Sequence, residues 1–270
     1  MRTNRRKFSR RECAREVIGI IPAGGWATRL RQLPCSKELY PEGFMKLKDG
    51  QRQCPKVVCH YLLEKLRLAG ISKTYIVLRE GKWDIPAYFR SGKLLDMNLG
   101  YLMVEVPFGV PYTVDQAYAF VKGSMVALGF PDIVFQDDDV FVRLIDWKMS
   151  GHADVVLGLF PADCHEKVDM VDVEEDGHIR AIIIKPRRTS LYYTWGVALW
   201  APQFSEFMHQ YLPRIEQSPN EGQELHLGDV IVAAMQEGMR VEGIRVSDDP
   251  YIDIGTPEDL VRAVRTYVEH

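Results

Sequence analysis

Three segments of the chain carry residue types and spacings that could do chemistry. Pro22-Ala-Gly-Gly-Trp-Ala-Thr-Arg-Leu30 sets Gly24 and Gly25 just ahead of Arg29. Paired glycines let backbone N–H groups come close to phosphate oxygens, and a guanidinium supplies a fixed cationic fork. A plain tight turn explains the glycine pair equally well. Shortly after it, Ser36-Lys37-Glu-Leu-Tyr-Pro41 places a second cation near the same turn. The segment is neither a Walker loop nor a dinucleotide fingerprint, because both need other spacings. Further on, Asp137-Asp-Asp139 ends an apolar run. Three carboxylates there suit a hard divalent cation, and equally a helix cap or a solvated loop.

The elements that must position these segments follow from periodicity. Val17 to Pro22 is a β-branched run leading into the glycine turn and reads as a buried strand. Lys56 to Ala69 has amphipathic helical spacing and stops at Gly70. Strands are expected over 74–78, 101–106 and 132–136, with helices over 83–89 and 113–128 between them. The second half reads as strands over 153–160, 168–173, 179–184 and 193–200, with a hairpin turn at Glu174-Glu-Asp-Gly177. Helices over 203–212 and 227–237 come next, then a strand near 251–254 and a helix begun by Thr256-Pro-Glu-Asp, with threonine as cap and acids at its positive end. The expected class is α/β: a single Rossmann-like domain with a mainly parallel mixed sheet flanked by helices. In such sheets ligands bind beyond the carboxyl ends of the strands, so the glycine turn and the aspartates meet at one rim.

On these residues the chain resembles the sugar-1-phosphate nucleotidyltransferases. Ala23-Gly-Gly-Trp-Ala-Thr-Arg-Leu30 with Ser36-Lys37-Glu-Leu-Tyr-Pro41 is similar to their A-G-G-x-G-T-R-L and [SP]-K-x-L-x-P signature. Val134-Phe-Gln-Asp-Asp-Asp-Val-Phe141 resembles the G-D-N-x-F segment, and Ile184-Lys185-Pro186 resembles E-K-P. Thr194-Trp-Gly196 and Tyr251-Ile-Asp-Ile-Gly-Thr256 complete the series in the family's order.

The resemblance implies transfer of a nucleotidyl group from a nucleoside triphosphate to a sugar-1-phosphate, with pyrophosphate leaving. Two anions react, so such a site needs cations and a metal more than a base. It implies Arg29 and Lys37 as the catalytic cations. It implies Ala23, Gly24, Gly25, Thr28 and Gln116 as nucleotide contacts. A sugar-binding extension in the second half would hold the sugar phosphate through Lys185, Trp195 and Gly196. Aligning Phe141 with the family's phenylalanine implies Asp138 as metal ligand, with Asp139 its rival and Asp253 the second carboxylate. Hard oxygen donors of this kind favour Mg²⁺.

The sequence departs from the family at several places. Ala27 stands for a third glycine, Ile184 for the acid of E-K-P, and Asp137 for the glycine before the metal aspartate. The base-binding stretch is reduced to Val106-Pro-Phe-Gly-Val-Pro-Tyr-Thr-Val-Asp-Gln-Ala117. Two other readings follow: a non-catalytic sensor of a nucleotide or nucleotide sugar, and a glycosyltransferase using Asp137-Asp-Asp139 as a D-x-D motif.

Composition narrows the rest. A formal charge of −3 hides a basic arm over residues 1–15, where seven Arg/Lys side chains face the single acid Glu12. The remaining body, 16–270, is therefore acidic. It argues against nucleic acid as the main partner, which needs a broad basic face. The arm reads as a solvated, flexible tail. Its Arg5-Arg6 pair lacks the apolar stretch of an export signal, and no run is long enough to span a membrane. Five cysteines without a C-x-x-C pair read as reduced thiols of a cytoplasmic protein. A homo-oligomer is the family's habit, though no seam is legible in the sequence.

Overall fold

β1 (Val17–Ala23) is almost wholly buried, as its apolar run without a charged or hydroxyl side chain requires of a strand covered on both faces. In this computed structural model, residues 16–26, 28–30, 33–46, 53–105, 108–216 and 224–268 are described. The arm 1–15 with Cys13, the departure at Ala27, and Val106 and Pro107 of the base-binding stretch lie outside the described residues.

After β1 come one-turn 3-10 helices at Thr28–Leu30 and Lys37–Leu39, then a hairpin of β2 (Pro41–Lys46) and β3 (Gln53–Val57). The chain continues through α1 (Val58–Leu68), β4 (Lys73–Arg79), α2 (Asp84–Phe89), β5 (Asn98–Val104), α3 (Val110–Asp115) and α4 (Tyr118–Val121). Next are β6 (Met125–Gly129), β7 (Ile133–Val134), α5 (Val140–Ser150) and β8 (Val155–Pro161). The second half supplies β9 (Met170–Val173), β10 (Ile179–Ile183), β11 (Tyr193–Trp200), α6 (Pro202–Glu216) and α7 (Leu227–Gln236). It closes with β12 (Val241–Arg245), β13 (Ile252–Asp253) and α8 (Pro257–Val268).

The expected class is the observed one, a single α/β domain on a mixed sheet flanked by helices. The main sheet runs β10-β9-β11-β6-β1-β4-β5, with β8 on β11 and β12 on β8. The stretch β6-β1-β4-β5 is parallel, and β11 joins it antiparallel. Two apolar layers sandwich the sheet. One packs α1 and α5 through Leu62, Leu66, Phe141 and Leu144; the other packs α6 and α7 through Phe204, Met208, Val230 and Ile231. Among the described residues no helix is long and apolar enough to cross a membrane.

The main departure from the expected elements lies just before the aspartates. Residues 113–128 are not one helix. Two short helices, α3 and α4, end at Asp115 and Val121; Gly123, at φ +84°, then turns the chain out of helical geometry, and Met125–Gly129 becomes the fully buried strand β6. A short apolar run reads alike as buried helix or buried strand, and the glycine break decides it. β6 lies beside β1 and runs the same way, so the rim beside the glycine turn is reached at Phe130-Pro-Asp132. The strand expected over 132–136 shrinks to the two residues of β7, which pair with β13 in a separate small sheet.

Candidate active site

At the carboxyl ends of β1 and β6 lies a cleft of about 420 Å³. Gly24, Gly25, Arg29, Lys37, Thr113, Asp132 and Gly255 are among its walls. Ala23 is the buried last residue of β1, and it delivers Gly24 into the cleft, where a Cβ would stand 3.3 Å from Val104 and 3.5 Å from Thr113. Gly25 has open space where a Cβ would stand. Thr28 opens the one-turn helix that carries Arg29.

Asp132 lines this cleft, and Asp253 stands behind it, facing a neighbouring pocket lined by Thr194 and Tyr251. The two-residue strands β7 and β13 set Asp253 opposite Ile133, and the Ile254 N–H donates to the Asp132 carbonyl at 3.0 Å. The Lys37 ammonium donates to the Asp132 carboxylate, while the Arg29 guanidinium lies 3.5 Å from Asp253. Gly255 makes room for that guanidinium: a Cβ there would sit 2.4 Å from Arg29 Nη2. Four charges of alternating sign thus converge from four separate stretches of chain.

The charges shift one another. Burial alone would raise the Asp132 carboxyl, but the charge and hydrogen bond of Lys37 outweigh it and hold Asp132 below the usual carboxylate range. Asp253 goes the other way. Burial and then the neighbouring Asp132 charge raise it, against the weaker pull of Lys37 and Arg29. Burial disfavours the Lys37 cation, yet the charge and hydrogen bond of Asp132 raise it above its ordinary value. Asp253 Oδ1 is buried without a hydrogen-bond partner. An orphaned carboxylate oxygen beside a second carboxylate is a donor set that fits a hard divalent cation.

Lys37 is itself held. Both oxygens of Asp84 accept from Ser36, one from its N–H at 2.6 Å and the other from its hydroxyl at 2.7 Å. One residue beyond, Glu38 is sealed in a buried ion pair with Lys82 at 2.5 Å.

The expected site residues divide into three groups. Gly24, Gly25, Arg29 and Lys37 line the cleft, and Asp253 adjoins it through its pairing with Arg29. Lys185, Trp195 and Gly196 lie beside it. Lys185 has a left-handed backbone, with φ +40°, and its ammonium stands 3.4 Å from His226 Nε2. Trp195 is buried behind Phe130, which lines the cleft, with ring centroids 5.8 Å apart. Gly196 packs under Tyr251 and Ile133. Gln116, Asp138 and Asp139 form the third group, outside the cleft walls. Gln116 is exposed and turns back toward the Tyr112 carbonyl, while Thr113 of the same helix lines the cleft.

Asp138 and Asp139 call for a correction to their expected pairing with Asp253. Asp138 is 78% exposed and bonds the Lys65 ammonium of α1 at 2.6 Å. Asp139 is exposed at the start of α5, where its carbonyl accepts from the Arg143 N–H. The carboxylate that meets Asp253 is Asp132. The sequence reading passed over it because it sought the aspartate after a strand at 132–136, whereas β6 ends at Gly129. The signal was Gly129-Phe-Pro-Asp132, a strand end followed by proline.

Known proteins share this sequence pattern and this fold. Residues 18–270 match the family model described as nucleotidyl transferase. The glucose-1-phosphate thymidylyltransferase of Streptomyces antibioticus is 23% identical over 93% of this chain and 66% of its own, so the chain spans just under two thirds of that relative. A Bacillus anthracis structure, provisionally titled a glucose-1-phosphate thymidylyltransferase and solved with sucrose, superposes with a TM-score of 0.78. It is 19% identical, with 94% of this chain and 96% of that chain covered. The inositol-1-phosphate CTP transferase of T. maritima has a TM-score of 0.70 at 18% identity, with 93% and 95% covered.

Proposed function

The chain belongs to the nucleotidyl transferase family, and on that premise we propose that it joins a nucleoside triphosphate to a sugar-1-phosphate. An oxygen of the sugar phosphate forms a bond to the α-phosphorus. The bond from that phosphorus to the bridging oxygen breaks, and its electron pair leaves on pyrophosphate. The products are a nucleotide sugar and pyrophosphate. The observation that carries this reading is the convergence of Arg29, Lys37 and Asp132 on one cleft beside the Gly24-Gly25 turn, with Asp253 paired to Arg29 at its edge.

The chain's own groups suit the task. Attack of one phosphate on another brings like charges together, so fixed cations lower the barrier most. Lys37 stays protonated across the neutral range because Asp132 holds its charge, and Asp84 fixes the loop that presents it. Arg29 offers a planar fork to the phosphates at the mouth. The backbone N–H groups of the glycine turn add donors without adding charge. Asp132 and Asp253 would hold Mg²⁺, which when bound supplies charge neutralisation and polarises the α-phosphoryl group. Lys185, just after β10, with His226 at the start of α7, is assigned to the sugar phosphate.

The D-x-D glycosyltransferase reading has little support, since Asp138 is engaged with Lys65 and Asp253 sits with Asp132. Relatives named for a thymidylyltransferase and a CTP transferase differ in base and acceptor, so the test is a panel. Purified protein with Mg²⁺ is incubated with each triphosphate and a set of sugar-1-phosphates, and pyrophosphate and nucleotide sugar are measured. Release in at least one pairing is expected. Binding of triphosphate by folded protein with no turnover in any pairing would overturn the transferase reading in favour of the sensor.

A further inference from the structure

A second cleft of about 440 Å³ adjoins the first and shares Trp26 and Lys37 with it. Its other walls include Ser36, Arg79, Gly81, Lys82 and Asp84. The polar groups here are nearly all accounted for. Asp84, the acid among the lining residues, has both oxygens taken by Ser36. Lys82 is neutralised by Glu38, and the two side chains are only 4% and 2% exposed.

Arg79 is different. It ends β4, so the parallel sheet points it to the same rim as the glycine turn. Its guanidinium lies over the Trp26 ring at 4.1 Å, and Nη1 donates to the Glu80 carbonyl at 2.6 Å. Nε is buried with no partner. Among the described residues no carboxylate forms an ion pair with it. Gly81, at φ +87°, turns the chain away so that a Cβ would just touch Nη1 at 3.4 Å. The result is a cationic cleft continuous with the phosphate-facing one, held open by an aromatic ring and lacking an acid free to fill it.

We infer that this second cleft is a pyrophosphate subsite in which Arg79 holds the β- and γ-phosphates and steadies them as they leave. The inference rests on the transferase reading for what enters the first cleft. Its physics is separate. A polyanion laid along the Gly24-Gly25 turn meets Lys37 and passes Trp26, and the next cation in line is Arg79. A guanidinium with no carboxylate partner among the described residues gains charge-assisted hydrogen bonds from such a ligand, and it presents a fork that lysine lacks. Arg79 thus acts on the leaving group, while Lys37 and Arg29 act nearer the reacting phosphorus.

The probe is inorganic pyrophosphate with Mg²⁺, titrated by calorimetry into the full chain, with a nucleoside monophosphate as comparison. Wild type should bind pyrophosphate. Arg79→Ala should weaken that binding about tenfold or more, in line with loss of a charge-assisted hydrogen bond, and leave the monophosphate unchanged. Arg79→Lys, which keeps the charge and loses the fork, should fall between. Melting curves report whether each variant is folded; if the alanine variant is not, the lysine variant and wild type carry the comparison. Pyrophosphate affinity within twofold of wild type in a folded variant, equal loss for the monophosphate, or no binding by wild type would overturn the subsite. Failure of the transferase reading looks different: Arg79-dependent pyrophosphate binding with no turnover in the substrate panel.

Discussion

Asp132 and Asp253 are brought together because the two-residue strands β7 and β13 pair Asp253 with Ile133, the residue after Asp132, although nearly half the chain separates them. Of the two, Asp132 is committed to Lys37, whereas Asp253 keeps a buried oxygen without a partner. Asp132→Asn and Asp253→Asn should each lower turnover about a hundredfold or more, the scale seen when a fixed electrostatic group is removed from a phosphoryl or acyl transfer site. Asp138→Asn should stay within about threefold of wild type, since it touches only Lys65 at the surface. Pyrophosphate release measures all three. Stability separates the first two further. Asp253→Asn removes a repulsion with Asp132 and should keep or raise the melting temperature of the metal-free protein, whereas Asp132→Asn strips Lys37 of its counter-charge and should lower it. A crippled Asp138→Asn beside an active Asp132→Asn would return the metal to the aspartate run.

The Ser36–Asp84 clamp gives a second prediction, about position instead of charge. Asp84 binds no reacting group, yet it fixes the residue that precedes Lys37. Asp84→Ala should cost about 1–2 kcal/mol of stability, the net worth of two hydrogen bonds with one charged partner. Turnover should fall about tenfold, well short of the loss from Lys37→Ala. The pairing of a modest stability loss with a larger kcat loss marks a positioning residue. Equal effects of Asp84→Ala and Lys37→Ala on kcat would show that the clamp itself faces the chemistry.

How much of this was legible in the sequence can be read from these same residues. The glycine turn, Arg29, Lys37 and Asp253 were, because each sits in a short motif whose residue types are dictated locally. Most strands were as well, including β11 with its bounds unchanged at Tyr193–Trp200. Asp132 was not, since its place depends on where β6 ends, and Met125–Gly129 has no polar residue to set a strand period against a helical one. Asp84, Lys82 and Arg79 were invisible for another reason. Their roles arise from β4 lying next to β1, and that adjacency is a property of the sheet order and of no local pattern. The pairing of Lys65 with Asp138 was equally invisible, since 73 residues separate the two and only the fold brings the buried ammonium of α1 to that carboxylate.

A third prediction concerns the buried Glu38–Lys82 pair. Both groups are out of solvent, so the cost of leaving one unpaired is large even though the net worth of the pair is small. Glu38→Gln should destabilise by about 3–5 kcal/mol by stranding the Lys82 ammonium. Replacing both, Glu38→Gln with Lys82→Met, should recover most of that loss. Chemical denaturation of the two variants checks it. If the double variant is no more stable than the single one, the pair matters through shape and not through charge.

The last prediction turns on Glu42 and the pH of maximum stability. Glu42 sits on β2, 1% exposed, and neither carboxylate oxygen has a hydrogen-bond partner among the described residues. Burial pushes its carboxyl up to about 7 from an ordinary 4.5. A carboxyl raised in the folded state binds its proton more tightly there than in the unfolded chain. Stability from this group is therefore full below about pH 4.5 and declines as pH climbs to about 7, levelling off above it. His60, on the adjoining α1, has the opposite slope. Burial, then the Lys56 charge, lowers it to about 4 from 6.5, so its contribution is lost as pH falls from about 6.5 to about 4. Its imidazole must stay neutral to accept the Val57 N–H at 3.1 Å. Glu42→Gln leaves the His60 slope in place, so the difference between variant and wild type isolates the carboxyl. Melting curves at pH 5 and pH 8 should show the variant gaining about 1–3 kcal/mol on wild type between the two, an upper range set by the size of the shift. A difference that does not change with pH would mean that Glu42 is ionised and satisfied in the folded protein at pH 5.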